Sequence, residues 1–258
     1  MIGIFDSGIG GLSVLREIRR CLPDRDIIYY GDTAREPYGQ KSPETVAACV
    51  SQGLTRLVDM GVGLLVVAGH SAAACLPNDE RKRFPAPVFD IITDGVLPGL
   101  SCLTPKAIGI LGPPLLEISQ THEQAIRRVF PDSRFFSLSS PLLESLVEAG
   151  WQKKPETVMI VKKHLHALKL RQIDTLVLGS NHYACLVRVI QRKIGKRVTL
   201  VDAGPILAKG VADFLGAHPG VDGACPKGGC RVMVSDVTPH LEKSAKLLYG
   251  QNVRLERI

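Results

Sequence analysis

The side chains of this sequence best suited to chemistry fall in four short segments, each placed directly after a strand-length apolar run. Asp6-Ser7-Gly8-Ile9-Gly10-Gly11 follows residues 2–5, and its glycines allow a tight turn and close approach of backbone to a ligand. Its spacing is neither the dinucleotide fingerprint nor a phosphate loop, which would end in Lys-Ser/Thr. Asp6 reads either as a carboxylate aimed at a ligand or as a turn former, and Ser7 as a cap for the next helix. Tyr30-Gly31-Asp32-Thr33-Ala34-Arg35-Glu36-Pro37-Tyr38-Gly39 is dense in hydrogen-bonding groups and suits a loop that contacts a small polar ligand. Gly69-His70-Ser71 and Gly179-Ser180-Asn181-His182 bring two imidazoles to two further strand-ends. Imidazole titrates near working pH, so His70 could act as a base; it could equally fill space and hydrogen-bond to Ser71 or the backbone. His182 has the same two readings, acid/base group or satisfied buried histidine.

These segments need a scaffold that gathers strand-ends. Apolar runs at 2–5, 27–30 and 64–68 alternate with helical patterns at 11–22, 43–60 and 71–75. After a Pro-rich stretch around 84–88 a second series begins, with runs at 108–111, 134–138 and 175–178 between helical patterns at 117–129, 141–148 and 155–170. Such alternation predicts βα units and mainly parallel sheets. The series echo one another. Ile2-Gly3-Ile4-Phe5 is matched by Ile108-Gly109-Ile110-Leu111, and Val66-Val67-Ala68-Gly69-His70-Ser71 by Val177-Leu178-Gly179-Ser180-Asn181-His182. The expected fold is α/β: two pseudo-symmetric Rossmann-like (flavodoxin-like) halves facing each other across a cleft. Residues 1–92 with 206–258 form the first and 93–205 the second. Ligands in open α/β sheets bind beyond the carboxyl ends of strands, where the four segments would converge.

Composition narrows the function. Of 258 residues 45% are apolar and 22% charged, ordinary for a soluble globular chain, and no apolar run approaches bilayer length. The first residues read as a strand rather than a secretory signal, so the cytoplasm is the expected location. The net charge of +7 is dispersed over helix faces and the Arg81-Lys82-Arg83 loop without interleaved aromatics, which argues against nucleic acid. Seven cysteines make an odd count. Cys21, Cys49, Cys75, Cys102 and Cys185 sit in apolar contexts that suit buried thiols, and Cys225 and Cys230 bracket a polar loop without a second metal-ligand pair nearby.

Taken together, the segments resemble the glutamate racemase family. Residues 2–45 match almost residue for residue, as do Pro141-Leu142-Leu143-Glu144-Ser145-Leu146-Val147-Glu148-Ala149-Gly150, Leu178-Gly179-Ser180-Asn181-His182-Tyr183 and Val201-Asp202-Ala203-Gly204. The likeness covers essentially the whole chain. It implies a cofactor-independent enzyme, without a metal, in which two cysteines on opposite faces of the substrate Cα exchange a proton. The resemblance places those cysteines at Gly69 and Ser180, and neither is a cysteine here. It also places Asp6, Ser7, Tyr38 and Gly39 on the substrate side, with Glu148 and His182 assisting the second proton-transfer position.

An unassisted hydroxyl is a far weaker acid than a thiol, and glycine has no side chain at all. The neighbours depart as well: His70-Ser71 and Asn181 stand where the resemblance leads one to expect Asn-Thr and Thr. The expectation is a remodelled pocket for a small carboxylate or amino acid, with Asp6, His70, Glu148, Ser180 and His182 as the chemical set. Ser7, Tyr38, Gly39, Gly69, Ser71 and Asn181 line it. An isomerase or lyase with altered acid/base chemistry, a non-catalytic binding or regulatory relative, and residual conversion of L- to D-glutamate for peptidoglycan remain as readings. A homodimer is compatible with all three; a nucleic-acid or membrane partner is not expected. Cys75 and Cys185, five or six residues past the two positions, lie about 7.5 Å or more along a helix from the strand-ends and read as core.

Overall fold

The apolar runs become strands because both of their faces are covered. In the computed structural model, which describes residues 1–223, 228–251 and 253–258, Ile2–Asp6 (β1), Ile27–Gly31 (β2), Leu64–Val67 (β3), Ala107–Gly112 (β5) and Thr175–Leu178 (β7) are buried at every position. That absence of face alternation is the mark of parallel sheets with helices on both sides. Shorter or more exposed strands complete the sheets: Val88–Asp90 (β4), Arg134–Ser139 (β6), Thr199–Val201 (β8), Cys230–Val234 (β9) and Leu255–Arg257 (β10).

Parallel neighbours need crossover connections, which the helices supply. They are α1 (Leu12–Cys21), α2 (Pro43–Asp59), α3 (His70–Ala74), α4 (Asn78–Arg81), α5 (Leu97–Ser101) and α6 (Pro114–Ser119). There follow α7 (Thr121–Val129), α8 (Leu143–Glu148), α9 (Pro155–Leu170), α10 (Val187–Ile194), α11 (Ala203–Ala217) and α12 (Pro239–Tyr249). In α1 the apolar spacing buries Leu12, Leu15 and Ile18 on one side and leaves Arg19 and Arg20 for the last turn, where cations suit the helix dipole.

Two all-parallel sheets result, ordered β10-β9-β2-β1-β3-β4 and β6-β5-β7-β8. The run β2-β1-β3-β4 in the first has the same order as β6-β5-β7-β8 in the second, with β1 and β5 each flanked by the strands that follow next in sequence. The two-series reading is thus matched by topology.

Several local expectations are corrected. Arg81 is not a loop cation: it ends α4 and pairs with the fully buried Asp90, which needs a positive partner. Asp90 also accepts the Ile92 and Thr93 backbone N–H groups, starting a π-helical turn over Ile91–Val96. Ser7 does not cap α1, whose first residue follows Gly11 without a side-chain cap. Cys21 and Cys102 are exposed, each at the C-terminal end of a helix. Cys225 lies outside the described residues; Cys230 opens β9 and is exposed. Among the described residues no helix is long and apolar enough to cross a membrane.

Candidate functional site

The carboxyl ends of β1, β2, β3 and β7 meet between the two sheets. Asp6 and Ser7 arrive from β1, Tyr38 and Gly39 from the segment after β2, Gly69, His70 and Ser71 from β3, and Ser180, Asn181 and His182 from β7; all of them line one cleft. Glu148, from α8, reaches this group through His182. The cavity left between the side chains is small, about 30 Å³. The halves are tied across it by Asn181, whose Nδ2 donates to the Ala68 carbonyl at 2.8 Å.

On the β1–β3 side, Asp6 is buried and accepts the Gly11 N–H at 2.7 Å, with the Tyr29 hydroxyl at 3.3 Å. Burial holds its carboxyl above the ordinary range, against the pull of the Gly11 hydrogen bond and the His182 charge. The carboxylate lies over the Cα of Gly69, in the volume any side chain at 69 would enter. His70 does not bond to Ser71 or to the backbone. Its Nδ1 lies 3.0 Å from His122 Nε2, the two rings stacked at 21°, so α3 and α7 share one imidazole pair. Burial, then the neighbouring ring, holds His70 well below its usual value. A neutral, buried His70 engaged in this way suits interdomain packing better than proton transfer. Among the described residues the Ser7 and Ser71 hydroxyls have no hydrogen-bond partner, and both line the cleft.

On the β7 side, His182 Nε2 lies 2.8 Å from Glu148 Oε1, and its Nδ1 is 3.4 Å from Ser180 Oγ. Burial opposes the charged ring, but the Glu148 hydrogen bond with the charges of Glu144, Glu148 and Glu36 raises it to about 9. His182 is therefore an imidazolium at neutral pH. Gly10 makes room for it, since a Cβ there would come within 2.7 Å of the ring. Ser180 Oγ donates to Glu144 Oε1 at 2.6 Å, so the serine is turned toward a carboxylate more than toward the imidazole. Tyr38 donates its hydroxyl to Asp32 and holds the β2 loop against the cleft.

The sequence pattern passed over two acids. Glu144 precedes Glu148 by four residues, so both lie on one face of α8 and reach His182 together. Glu36 enters from the segment after β2; burial first, then the Glu148 charge, pushes its carboxyl up to about 8. Its presence inside a loop already rich in polar groups was the available signal. Cys75 and Cys185 do not line the cleft, and burial raises both thiols, Cys75 to about 11. Their reading as packing residues agrees with this placement.

Comparison with known proteins follows the geometry. No family model matches the chain. The glutamate racemase of Geobacter metallireducens is 38% identical over 236 residues, covering 92% of this chain and 87% of its own. That of Aquifex aeolicus is 36% identical over 252 residues, covering 98% and 95%. Among solved structures, the glutamate racemase of Francisella tularensis in complex with D-glutamate superposes with a TM-score of 0.91 at 27% identity, covering 100% of this chain and 96% of that one. The Escherichia coli glutamate racemase in complex with L-glutamate and its activator gives 0.80 at 26% identity over 100% and 97%. Identity above one third over nearly the full length of both chains, joined to the same two-sheet architecture, means that this chain belongs to the glutamate racemase family.

Proposed function

We propose that the interdomain cleft takes a small carboxylate or amino acid, and that the chain does not racemise glutamate by exchanging protons between two thiols. One observation carries the reading. Positions 69 and 180, at the ends of β3 and β7, hold a glycine and a serine, and the Asp6 carboxylate lies over the glycine. A two-sided proton exchange needs one group that is basic and one that is acidic at the same pH, on opposite faces of a Cα. Here the acid/base groups that remain are Asp6 on the first side and the Glu148–His182 couple, with Ser180 beside it, on the second. Ser7, Ser71, Asn181, Tyr38 and Gly39 supply uncharged contacts around them. A chain that only holds its ligand would keep those contacts and lose the proton chemistry, and the same experiment separates the two cases.

Each enantiomer of glutamate and aspartate is incubated with the protein in D2O, and α-proton exchange and optical rotation are followed. The expected result is no net racemisation of glutamate. Exchange without inversion that disappears in Asp6→Asn or His182→Asn would assign one-sided proton chemistry to those residues. Racemisation of glutamate at a rate sensitive to neither would sink the proposal. The cytoplasm and a homodimeric state are the setting the reading assumes, and gel filtration with a mass readout tests the second.

A further inference from the structure

We propose that the outer face of α9, with the adjoining edge of α10, docks onto an anionic phospholipid surface. Read along the chain, the positive charge looks dispersed and no membrane partner is expected; folding brings two basic stretches together, since α10 packs against α9. Residues 157–173 and 175–201 hold nine Lys and Arg and no Asp or Glu. The net charge of the whole chain is +7, so without these stretches it would be slightly acidic. Asp174, between them, is committed to the Lys106 and Ala107 backbone N–H groups. On other helices cations find acidic partners: Arg20 pairs with Glu17 on α1, Arg127 with Glu123 on α7 and Lys209 with Asp213 on α11. Among the described residues none of the nine forms an ion pair. Arg188 and Arg192, one turn apart on α10, repel each other.

The spacing on α9 turns this charge into a face. Met159, Lys162, Lys163, His166, Lys169 and Leu170 follow the three- and four-residue steps that keep to one side of a helix, over roughly 16 Å of its length. All six are exposed, whereas Thr157, Val161, Leu165 and Leu168 are buried against the domain. Lys193 joins from α10, and together they line a shallow groove of about 350 Å³ in which His166 is the only polar side chain besides the lysines.

The apolar residues decide which polyanion fits. Leu170 and Met159, at the two ends of the stripe, are the most exposed large apolar side chains among the described residues, at 71% and 66%. A nucleic-acid backbone would satisfy the lysines and leave both of these in water, and neither α9 nor α10 carries an aromatic side chain for a base to stack on. An anionic bilayer takes both kinds of group. Ammonium groups on flexible stems meet the head-group phosphates, and Met159 and Leu170 enter the interface beside them. Such contact needs no spanning helix. None of these residues lines the interdomain cleft, so the docking is independent of what the cleft binds.

The test is cosedimentation of full-length, tag-free protein with vesicles of phosphatidylglycerol and phosphatidylcholine in equal parts, and with vesicles of phosphatidylcholine alone. The expected result at about 0.1 M salt is binding to the first and not to the second, lost near about 1 M salt, where the screening length falls to roughly 3 Å. Each cation near such a surface contributes on the order of fivefold in partitioning, so Lys162→Glu with Lys169→Glu should weaken binding at least about tenfold. Lys243→Glu with Lys246→Glu makes the same charge change on α12 and should bind like the parent chain. Met159→Gln with Leu170→Gln should weaken vesicle binding severalfold while leaving the weak binding of a duplex DNA oligonucleotide unchanged. Circular dichroism checks that the variants, all at exposed positions, keep the fold. No binding to the anionic vesicles, or equal binding to the neutral ones, would overturn the proposal. Equal losses in the two charge-reversed pairs would assign the effect to net charge and not to this face. Duplex binding tighter than vesicle binding, with the Met159 and Leu170 pair without effect on either, would replace the membrane with nucleic acid.

Discussion

At the scale of single residues, the volume beside Gly69 decides what substitution can restore. Asp6 is fixed there by the Gly11 N–H and by its own burial, so it cannot swing aside as an exposed chain end would. Gly69→Ala is therefore expected to destabilise the fold by about 1–3 kcal/mol, the usual cost of forcing atoms into a packed site. The cost should shrink in an Asp6→Ala background, with a coupling on the order of 1 kcal/mol in a double-mutant cycle of urea unfolding. Additive effects would mean that Asp6 and position 69 do not compete for the same volume. By the same reasoning, Gly69→Cys with Ser180→Cys should not create glutamate racemisation, because the new thiol at 69 meets a carboxylate instead of a substrate Cα. Racemisation by that double variant in a circular-dichroism assay would contradict this. The residues behind this prediction were legible in the sequence, since Asp6, Gly69, Ser180 and His182 each follow a strand-length apolar run. Glu36 and Glu144 were not picked out, because nothing local to either residue shows that it faces His182. They reach His182 from residues 146 and 38 positions away, a relation that only the folded chain creates.

At the scale of elements, legibility followed burial. The fully buried β1, β3, β5 and β7 stand out as apolar runs, whereas β4, β8 and β10 have three residues each and little to distinguish them. The π-helical turn after β4 depends on the Asp90 carboxylate and its Arg81 partner, a tertiary pairing with no local sequence signature. Helix α2 shows how packing overrides propensity. Gly53 lies mid-helix, where alanine would ordinarily gain about 1 kcal/mol. A Cβ there would overlap the Phe5 ring on β1, which is completely buried and has no space to retreat into. Gly53→Ala is thus expected to lower stability by about 1–2 kcal/mol net, read as a reduced urea midpoint at unchanged slope. Pairing it with Phe5→Leu should recover part of the loss, and a stabilised single variant would show that α2 can slide away from the sheet.

At the scale of the whole molecule, the two sheets meet through groups whose charge state matters, and the His70–His122 pair is the clearest of them. His70 opens α3 after a strand of the first sheet, and His122 lies in α7 after a strand of the second. Among the described residues the buried His122 Nδ1 has no hydrogen-bond partner, so neither tautomer satisfies both ring nitrogens. Burial, partly offset by the Asp90 charge, lowers His122 to about 4, and His70 is also held low. Both rings are neutral in the fold, while in the unfolded chain they take up protons near pH 6.5. As pH falls from 6.5 toward 4 the unfolded state therefore binds more protons than the folded one, and stability declines. A shift of this size corresponds to roughly 2–4 kcal/mol for His122 once pH has passed below its folded value. Thermal and urea unfolding between pH 4 and 8 should show this decline. His122→Phe keeps an aromatic ring beside His70 while removing one titrating group, so its stability should fall less steeply over the same window, by about one proton. Equal slopes for the variant and the parent chain would mean that acid acts elsewhere. A shallower slope would locate the acid sensitivity at the contact joining the two halves, where protonating either ring sets a positive charge against its stacked neighbour and separates α3 from α7.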